Sequence, residues 1–149
     1  LFDFQTTPTR QFMELTHYFQ PGEIAPGEGA WVFLMRSPIS PDVSIAEQIT
    51  QFYSNAYMAS CNDELAQMYG FDSKNDLVGA PVSTFMPASN SILELLETMI
   101  KSNYKLSGAI SKEHAKDGRP IFFRNNMEAI FKDGLLIGGK GTQILVEKP

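Results

Sequence analysis

Two short turn sequences in the second half of the chain constrain its fold more than any other feature. Residues 116–119 read Lys-Asp-Gly-Arg and residues 132–134 read Lys-Asp-Gly, and Asp-Gly pairs are typical of tight β-hairpin turns. They separate three strand-like stretches at about 106–114, 121–131 and 135–146. Because each turn is short, neighbouring stretches must run antiparallel. The sequence therefore predicts a three-stranded antiparallel meander.

The middle stretch has one mostly apolar side and one charged side, since side chains alternate between the two faces of a strand. The apolar side carries Phe123, Asn125, Met127, Ala129 and Phe131. The other side carries Phe122, Arg124, Asn126, Glu128 and Ile130. We expect the first side to face the core, with Asn125 as its single polar residue.

The preceding region, residues 30–104, predicts one strand and several helices. The apolar run at 30–35 is typical of a buried strand, and we expect it to end at Ser37-Pro38. A capping box of Ser44 and Glu47 begins a helix that is expected to run to Ala56. Three further helical segments are predicted at residues 63–69, 73–76 and 91–103.

Residues 1–29 are predicted to be a flanking helix and a linker, ahead of a main domain at 30–149. Pro8 suits the first turn of a helix, and Phe12, Leu15 and Phe19 follow at helical spacing. The outer face of the sheet also carries apolar residues, so we expect helix 8–19 to pack there. It would do so in its own subunit or in a homodimer partner. Since the chain begins with leucine, we expect it to be part of a longer protein.

Composition excludes several classes of function. The 149 residues carry a net charge of −5, with a pI near 5.0, which argues against nucleic-acid binding. The single cysteine, Cys61, rules out an internal disulfide and a multi-cysteine zinc site. The longest apolar run is far shorter than the roughly 20 residues that a membrane-spanning helix needs, so we expect no membrane contact by this fragment.

Catalytic and metal sites are not predicted. The two histidines, His17 and His114, have no nucleophile or phosphate-loop motif beside them. Glu113, His114 and Asp117 are spaced too loosely for a metal site, and Cys61 is interpreted as a structural residue. We therefore expect this fragment not to be an enzyme.

The order of strand, short helices, longer helix and meander resembles the PAS sensor domain over residues 30–147. Five motifs carry the resemblance: Cys-Asn-Asp-Glu-Leu-Ala-Gln-Met-Tyr-Gly-Phe at 61–71, Asp-Leu-Val-Gly at 76–79, the two Asp-Gly hairpins, and Gly-Thr-Gln at 141–143. The resemblance implies an α+β fold, with about five antiparallel strands, short helices on one face and an N-terminal flanking helix. Lys140 stands where a tryptophan is common, and Ile-Leu-Val-Glu at 144–147 replaces the usual Asp-Ile-Thr coupling element.

The resemblance implies a cytoplasmic sensory domain from bacteria or archaea, acting on an output module such as a histidine kinase, a diguanylate cyclase or a transcription regulator. Flavin photochemistry is disfavoured because residues 80–86, after Gly79, lack the reactive cysteine of the light-sensing branch. Haem is disfavoured because the helix at 91–103 has no axial histidine. The identity of any cofactor is left open.

The resemblance also implies a small cavity between the helices and the sheet. Its expected lining is Met68, Tyr69, Leu96, Met99, Tyr104, Phe123, Asn125, Met127 and Gln143. These residues either hold a small, mostly apolar ligand or fill a ligand-free core, in which case the domain serves dimerisation. We expect the Asn125 amide to pair with Gln143, Tyr104, water or ligand, since an unpaired buried amide costs roughly 1–3 kcal/mol.

Overall fold

One five-stranded antiparallel sheet forms the centre of the computed structural model, which describes residues 14–149. The strands are β1 Gly29–Ile39, β2 Ala56–Cys61, β3 Lys105–His114, β4 Pro120–Lys132 and β5 Leu135–Val146. They lie side by side in the order β2-β1-β5-β4-β3. The predicted meander is therefore confirmed as β3, β4 and β5, and β1 pairs with its far edge.

The hairpin between β4 and β5 shows why the turn sequence is informative. Asp133 and Gly134 both have positive φ values, 54° and 80°. A two-residue turn with this backbone matches the twist of the flanking strands, and an Asp-Gly pair adopts it readily. The local sequence thus fixes the register between Lys132 and Leu135, which pair directly.

Three helices cover one face of the sheet, which we call the inner face. They are α1 Ile45–Asn55, α2 Asp63–Met68 and α3 Asn90–Lys101. Single 3-10 turns lie elsewhere in the chain, at Leu15–His17, Lys74–Asp76 and Val82–Thr84. Each helix begins at a polar cap that accepts a backbone N–H: Ser44, Asn62 and Ser89. Helix α3 has 12 residues and supplies apolar side chains to the core along one face.

Asn62 also ties α2 to the sheet. Its Oδ1 accepts from the N–H of Leu65 and from that of Ala30, both at 3.0 Å. Its Nδ2 donates to the carbonyl of Glu28 at 3.0 Å. One side chain therefore caps the helix and fixes the point where β1 begins.

Several elements end elsewhere than the sequence predicted: α2 ends at Met68, α3 ends at Lys101, and β1 and α1 differ as follows. Strand β1 runs past Pro38 to Ile39. Its pairing with β5 is irregular between Leu34 and Ile39, and at such an irregularity the strand tolerates a proline, which has no N–H to donate. Helix α1 ends at Asn55, and Ala56 is already extended as the first residue of β2.

The N-terminal flanking segment differs from the predicted helix. The predicted residues 8–13 lie outside the described residues. Glu14 is extended, with φ −87° and ψ 148°, and the chain then makes one 3-10 turn at Leu15–His17. An α-helix running through Glu14 to Phe19 is therefore wrong.

The described part of this segment, residues 14–28, nevertheless packs where the sequence predicted. Phe19 is 9% exposed and joins a cluster on the outer face of the sheet, with Ala30, Val32 and Ala59 as its buried members. Leu15 and Ile130 pack against the same cluster. The covering of this face by Phe19 and Leu15, within one chain, is confirmed.

The two-sided pattern of the middle strand is confirmed along most of β4. Phe123, Asn125 and Met127 are buried, whereas Arg124 and Asn126 between them are exposed. Phe131 is the exception and is 43% exposed. The pairing of β4 with β5 shifts between Ile130 and Phe131, so the regular alternation breaks before that residue.

Candidate functional site

A cavity of about 100 Å³ lies between the helices and the inner face of the sheet. Its walls are mostly aromatic and aliphatic side chains, including Phe33 of β1, Phe52 of α1 and Leu95 of α3. A water needs roughly 10–15 Å³ measured in this way. The cavity is therefore large enough for several waters or for a small organic molecule.

Seven of the nine residues predicted to line the cavity do so. They are Tyr69, Leu96, Met99, Tyr104, Asn125, Met127 and Gln143. The prediction is wrong for Met68 and Phe123, which do not line the cavity. Phe123 is fully buried against Tyr69, and the sulfur of Met68 lies near Gly29 at the start of β1.

Asn125 faces the interior and is only 1% exposed, as its strand position predicted. Its partners differ from the predicted ones, because its Nδ2 donates to the carbonyl of Ala109 at 3.0 Å and to Ser111 Oγ at 2.9 Å. Both partners belong to the neighbouring strand β3. Gln143 and Tyr104 instead bind other groups.

Glu113 is the centre of a buried polar network that the sequence did not reveal. It lines the cavity and is 5% exposed. Tyr69 Oη donates to its Oε1, and Ser111 Oγ donates to its Oε2 at 2.8 Å. Behind these donors, Gln143 Nε2 donates to Tyr69 Oη at 3.3 Å and Asn125 donates to Ser111. We call these five residues the Glu113 network.

A bulge in β3 explains why Glu113 points inward. In a regular strand, Leu106 and Ile110 would share a face, and Glu113 would lie on the opposite one. The pairing of β3 with β4 shifts between Ser107 and Ala109, and Gly108 has φ +71°. A glycine bulge of this kind reverses the alternation, so Glu113 is buried and Ile110 faces outward. Gly108 was the available signal.

Burial controls the protonation of the network. Desolvation raises the pKa of Glu113, against the hydrogen bonds from Tyr69 and Ser111 that lower it. Burial also raises the pKa of Tyr69 well above its usual value, and the nearby Glu113 adds to the effect. Tyr53 of α1 has its pKa raised to about 12 by burial and by Glu113. The carboxyl group thus sits where its charge is unfavourable unless it gains a partner.

A second polar point lies at the other side of the cavity, between α1 and the start of β3. Tyr104 Oη donates to Gln48 Oε1 at 2.9 Å, and Gln48 Nε2 donates to the carbonyls of Pro41 and Val43. Tyr104 has a positive φ of 64°, which is uncommon for a bulky residue and costs of order 1 kcal/mol or more. The bond to Gln48, which is 4% exposed, links this strained residue to α1.

Comparison with known proteins gives a fold and no sequence family: the chain matches no protein-family model and no curated protein. A LOV domain from the Erythrobacter litoralis EL346 blue-light activated histidine kinase is similar to it, with a TM-score of 0.55 and 14% identity over 83% of this chain and 99% of that one. The PAS domain of a protein from Colwellia psychrerythraea gives a TM-score of 0.55 and 13% identity, over 80% and 86%. A fungal LOV domain photoreceptor gives 0.55 and 10% identity, over 86% and 80%. The chain has the PAS fold. The predicted architecture of five antiparallel strands with helices on one face is confirmed.

Within this PAS fold, the other candidate groups are not assembled into a site. His114 is exposed, whereas Glu113 is buried, because neighbouring residues of a strand face opposite sides. Asp117 lies in the exposed turn after β3. No cluster of three or more His, Cys, Asp or Glu residues within residues 14–149 is placed to hold a metal. Cys61 ends β2 in the core, and burial raises the pKa of its thiol to about 12. Residues 14–149 include no helix long and apolar enough to cross a membrane.

On the outer face of the PAS sheet, Lys140 of β5 holds the N-terminal segment. Its Nζ donates to the carbonyl of Tyr18, lies 5.0 Å from the centre of the Phe19 ring and 3.8 Å from Glu128 Oε1. Gln143 is three residues further along the same strand and lies on the inner face. Strand β5 therefore contacts both the Glu113 network and the N-terminal segment.

Proposed function

We propose that this chain is a sensory domain of a larger signalling protein and binds a small, mostly apolar ligand in its inner cavity. The observation that carries the proposal is the cavity itself, about 100 Å³ with an ordered polar network on one side. Apolar walls with a few fixed polar groups are typical of ligand sites. The PAS fold of sensory proteins such as a blue-light activated histidine kinase supports the same reading.

The cavity volume favours a ligand smaller than a flavin or a haem. Pockets for drug-sized molecules have volumes of roughly 300–1,000 Å³, and an engineered cavity of about 150 Å³ in another protein takes up benzene. A cavity of about 100 Å³ suits a ligand of about the size of benzene. The sequence observations at residues 80–86 and 91–103 point in the same direction.

We propose that β5 relays the occupancy of the cavity. A ligand that favours one arrangement of Gln143 shifts the population of β5 conformations. The same strand holds the N-terminal segment through Lys140, so the segment responds to the shift. In a longer cytoplasmic protein, the conformational change in the segment would then be transmitted to an attached output module.

Native mass spectrometry tests ligand binding directly. The purified chain is expected to carry a small molecule that is lost on denaturation. Ala129→Leu fills the cavity, which Ala129 lines, and is expected to reduce the retained mass. Thr98→Leu on the exposed side of α3 adds an apolar side chain elsewhere and is expected to change nothing. Retention that is unaffected by Ala129→Leu would contradict binding in the cavity.

A second candidate function, a ligand-free dimerisation module, is favoured by the outer face beyond the N-terminal segment. Ile110 is 43% exposed there, and its neighbours Phe122, Ile144 and Val146 are half-buried. A second copy of the chain could cover this strip with two-fold symmetry. Sedimentation tests it: Ile110→Lys is expected to convert a dimer into a monomer, and an unchanged state would exclude this strip as the interface.

A further inference from the structure

The hydrogen bonds of the Glu113 network all point towards the carboxylate. Tyr69 and Ser111 donate to its two oxygens, and Gln143 and Asn125 donate to Tyr69 and Ser111. The carbonyls of Ala109 and Phe123 also bind Asn125 Nδ2, and a carbonyl can only accept. The orientation of the Asn125 amide is therefore fixed, with its nitrogen turned towards β3.

This arrangement leaves more free acceptors than free donors for a ligand: the donors are the second N–H of Gln143 Nε2 and the indole N–H of Trp31, which also lines the cavity. Within the described residues, no donor binds Asn125 Oδ1 or Gln143 Oε1, and neither atom is sealed off in the core. Each Glu113 oxygen accepts one side-chain hydrogen bond and has a further lone pair. At the second polar point, both the Gln48 amide and the Tyr104 hydroxyl are already donating to protein acceptors.

Among the described residues, the single charged side chain in the cavity lining is negative, which also favours a ligand that donates hydrogen bonds. Glu113 is the one Asp, Glu, Lys, Arg or His side chain that lines the cavity in the described part of the chain. A buried carboxylate without a counter-charge is unfavourable, whereas a donor-bearing cation beside it forms charge-assisted hydrogen bonds. The desolvation that raises the pKa of Glu113 would be offset by such a cation.

We propose that the ligand of this cavity is a small protonated amine on an apolar body, with Glu113 as its counter-ion. The ammonium group donates to Glu113 and to the free oxygens of Asn125 and Gln143. The apolar body lies among side chains such as Phe33, Leu95 and Met99. This inference rests on the proposed function, because it names the ligand class for the same cavity.

Methionine methyl NMR on the wild-type chain provides the test. Five methionines line the cavity, at positions 35, 58, 86, 99 and 127, and Met68 lies outside it as an internal control. The probes are isoamylamine, isoamyl alcohol and isohexane, which share one branched body and differ at one end. Isoamylamine is expected to shift the cavity methyl signals more than that of Met68. Its Kd is expected to be at least about tenfold below that of the alcohol, since an ammonium–carboxylate hydrogen bond has both partners charged and the hydroxyl–carboxylate bond only one.

The three probes separate failure of this inference from failure of the proposed function. Equal or tighter binding of the alcohol or of isohexane would overturn the amine inference and leave a ligand-binding cavity. If none of the probes shifts the cavity methyl signals, both proposals fail. This comparison uses the wild-type chain and does not depend on any variant folding.

Two variants then identify the anchor. Glu113→Gln keeps an acceptor for Tyr69 and removes the charge, so the preference for the amine over the alcohol is expected to disappear. Glu94→Gln removes one exposed carboxylate from α3 and is expected to keep the preference. An amine preference that survives in Glu113→Gln would overturn the role of Glu113.

Discussion

Phe19→Ala tests whether the N-terminal segment is an integral part of the fold. The ring is 91% buried on the outer face, against Ala30, Val32 and Ala59. Removing about 150 Å² of buried apolar surface at about 25 cal/mol per Å² costs about 4 kcal/mol. Residual burial in the unfolded chain lowers this figure to about 3 kcal/mol. For a chain of this length the melting temperature should fall by roughly 6–12 °C.

The assay is urea unfolding followed by circular dichroism, with a thermal scan alongside. Phe131→Ala is the matched control, because it is the same substitution at a residue that is 43% exposed, and by the same area argument it should lower the free energy of unfolding by roughly 60% as much. Sedimentation of both variants shows whether association contributes to the difference. A loss below about 1 kcal/mol for Phe19→Ala, or one equal to the control, would refute the packing argument and make the segment a passive tail.

Three further predictions concern the Glu113 network, the packing of β5 and the contact of Lys140 with the N-terminal segment. Glu113 has a raised pKa when folded, so its contribution to stability is complete below its ordinary value of 4.5 and is lost as pH rises through the folded pKa. In urea titrations, the free energy of unfolding of Glu113→Gln should therefore rise relative to that of wild type as the pH rises. A difference that does not depend on pH would contradict this. Gly141→Ala should lower the free energy of unfolding by about 2 kcal/mol or more, because its Cβ would lie 2.4 Å from the Trp31 ring. Gly139→Ala, whose Cβ would have no contact closer than 3.5 Å, should leave the free energy of unfolding nearly unchanged in the same titrations. Lys140→Met should cost about 1 kcal/mol or less yet speed hydrogen exchange in residues 14–28; unchanged exchange would show that Lys140 does not hold the segment.

The parts of the fold that local chemistry decides could be predicted from the sequence. The Asp-Gly turn at residues 133–134 sets the hairpin through its own backbone preference. Ser44 begins α1 through its own side chain. Asn125 was placed inside by strand alternation alone, since its neighbours on that face are apolar. Each of these predictions depends on a few adjacent residues, which is why it could be made.

The features that were missed depend on contacts between distant parts of the chain. Glu113 looks like a surface residue beside His114, and only the bulge at Gly108 turns it inward. Its donors, Tyr69 and Ser111, come from α2 and from its own strand. A single glycine in a strand permits a bulge without specifying one. The partners of Asn125 were wrong for the same reason, because they depend on the register of β3 against β4.

The position of β5 explains why cavity occupancy and the outer face are expected to be coupled. The strand lies between β1 and β4, and Gly141 leaves room for the Trp31 ring directly against its backbone. A shift of β5 would therefore press on the buried Trp31 indole, which stacks on Phe33, on the inner side. It would move Lys140 on the outer side. Gln143 and Lys140 lie three residues apart on this one strand. The helical layer also contacts the N-terminal segment directly at one point, where Asn62, the cap of α2, donates to the carbonyl of Glu28. If the coupling exists, Lys140→Met should abolish the effect of a bound ligand on hydrogen exchange in residues 14–28 while leaving its affinity within about twofold, because Lys140 does not line the cavity. A ligand effect on the segment that persists in this variant would show that the signal leaves the cavity by another route.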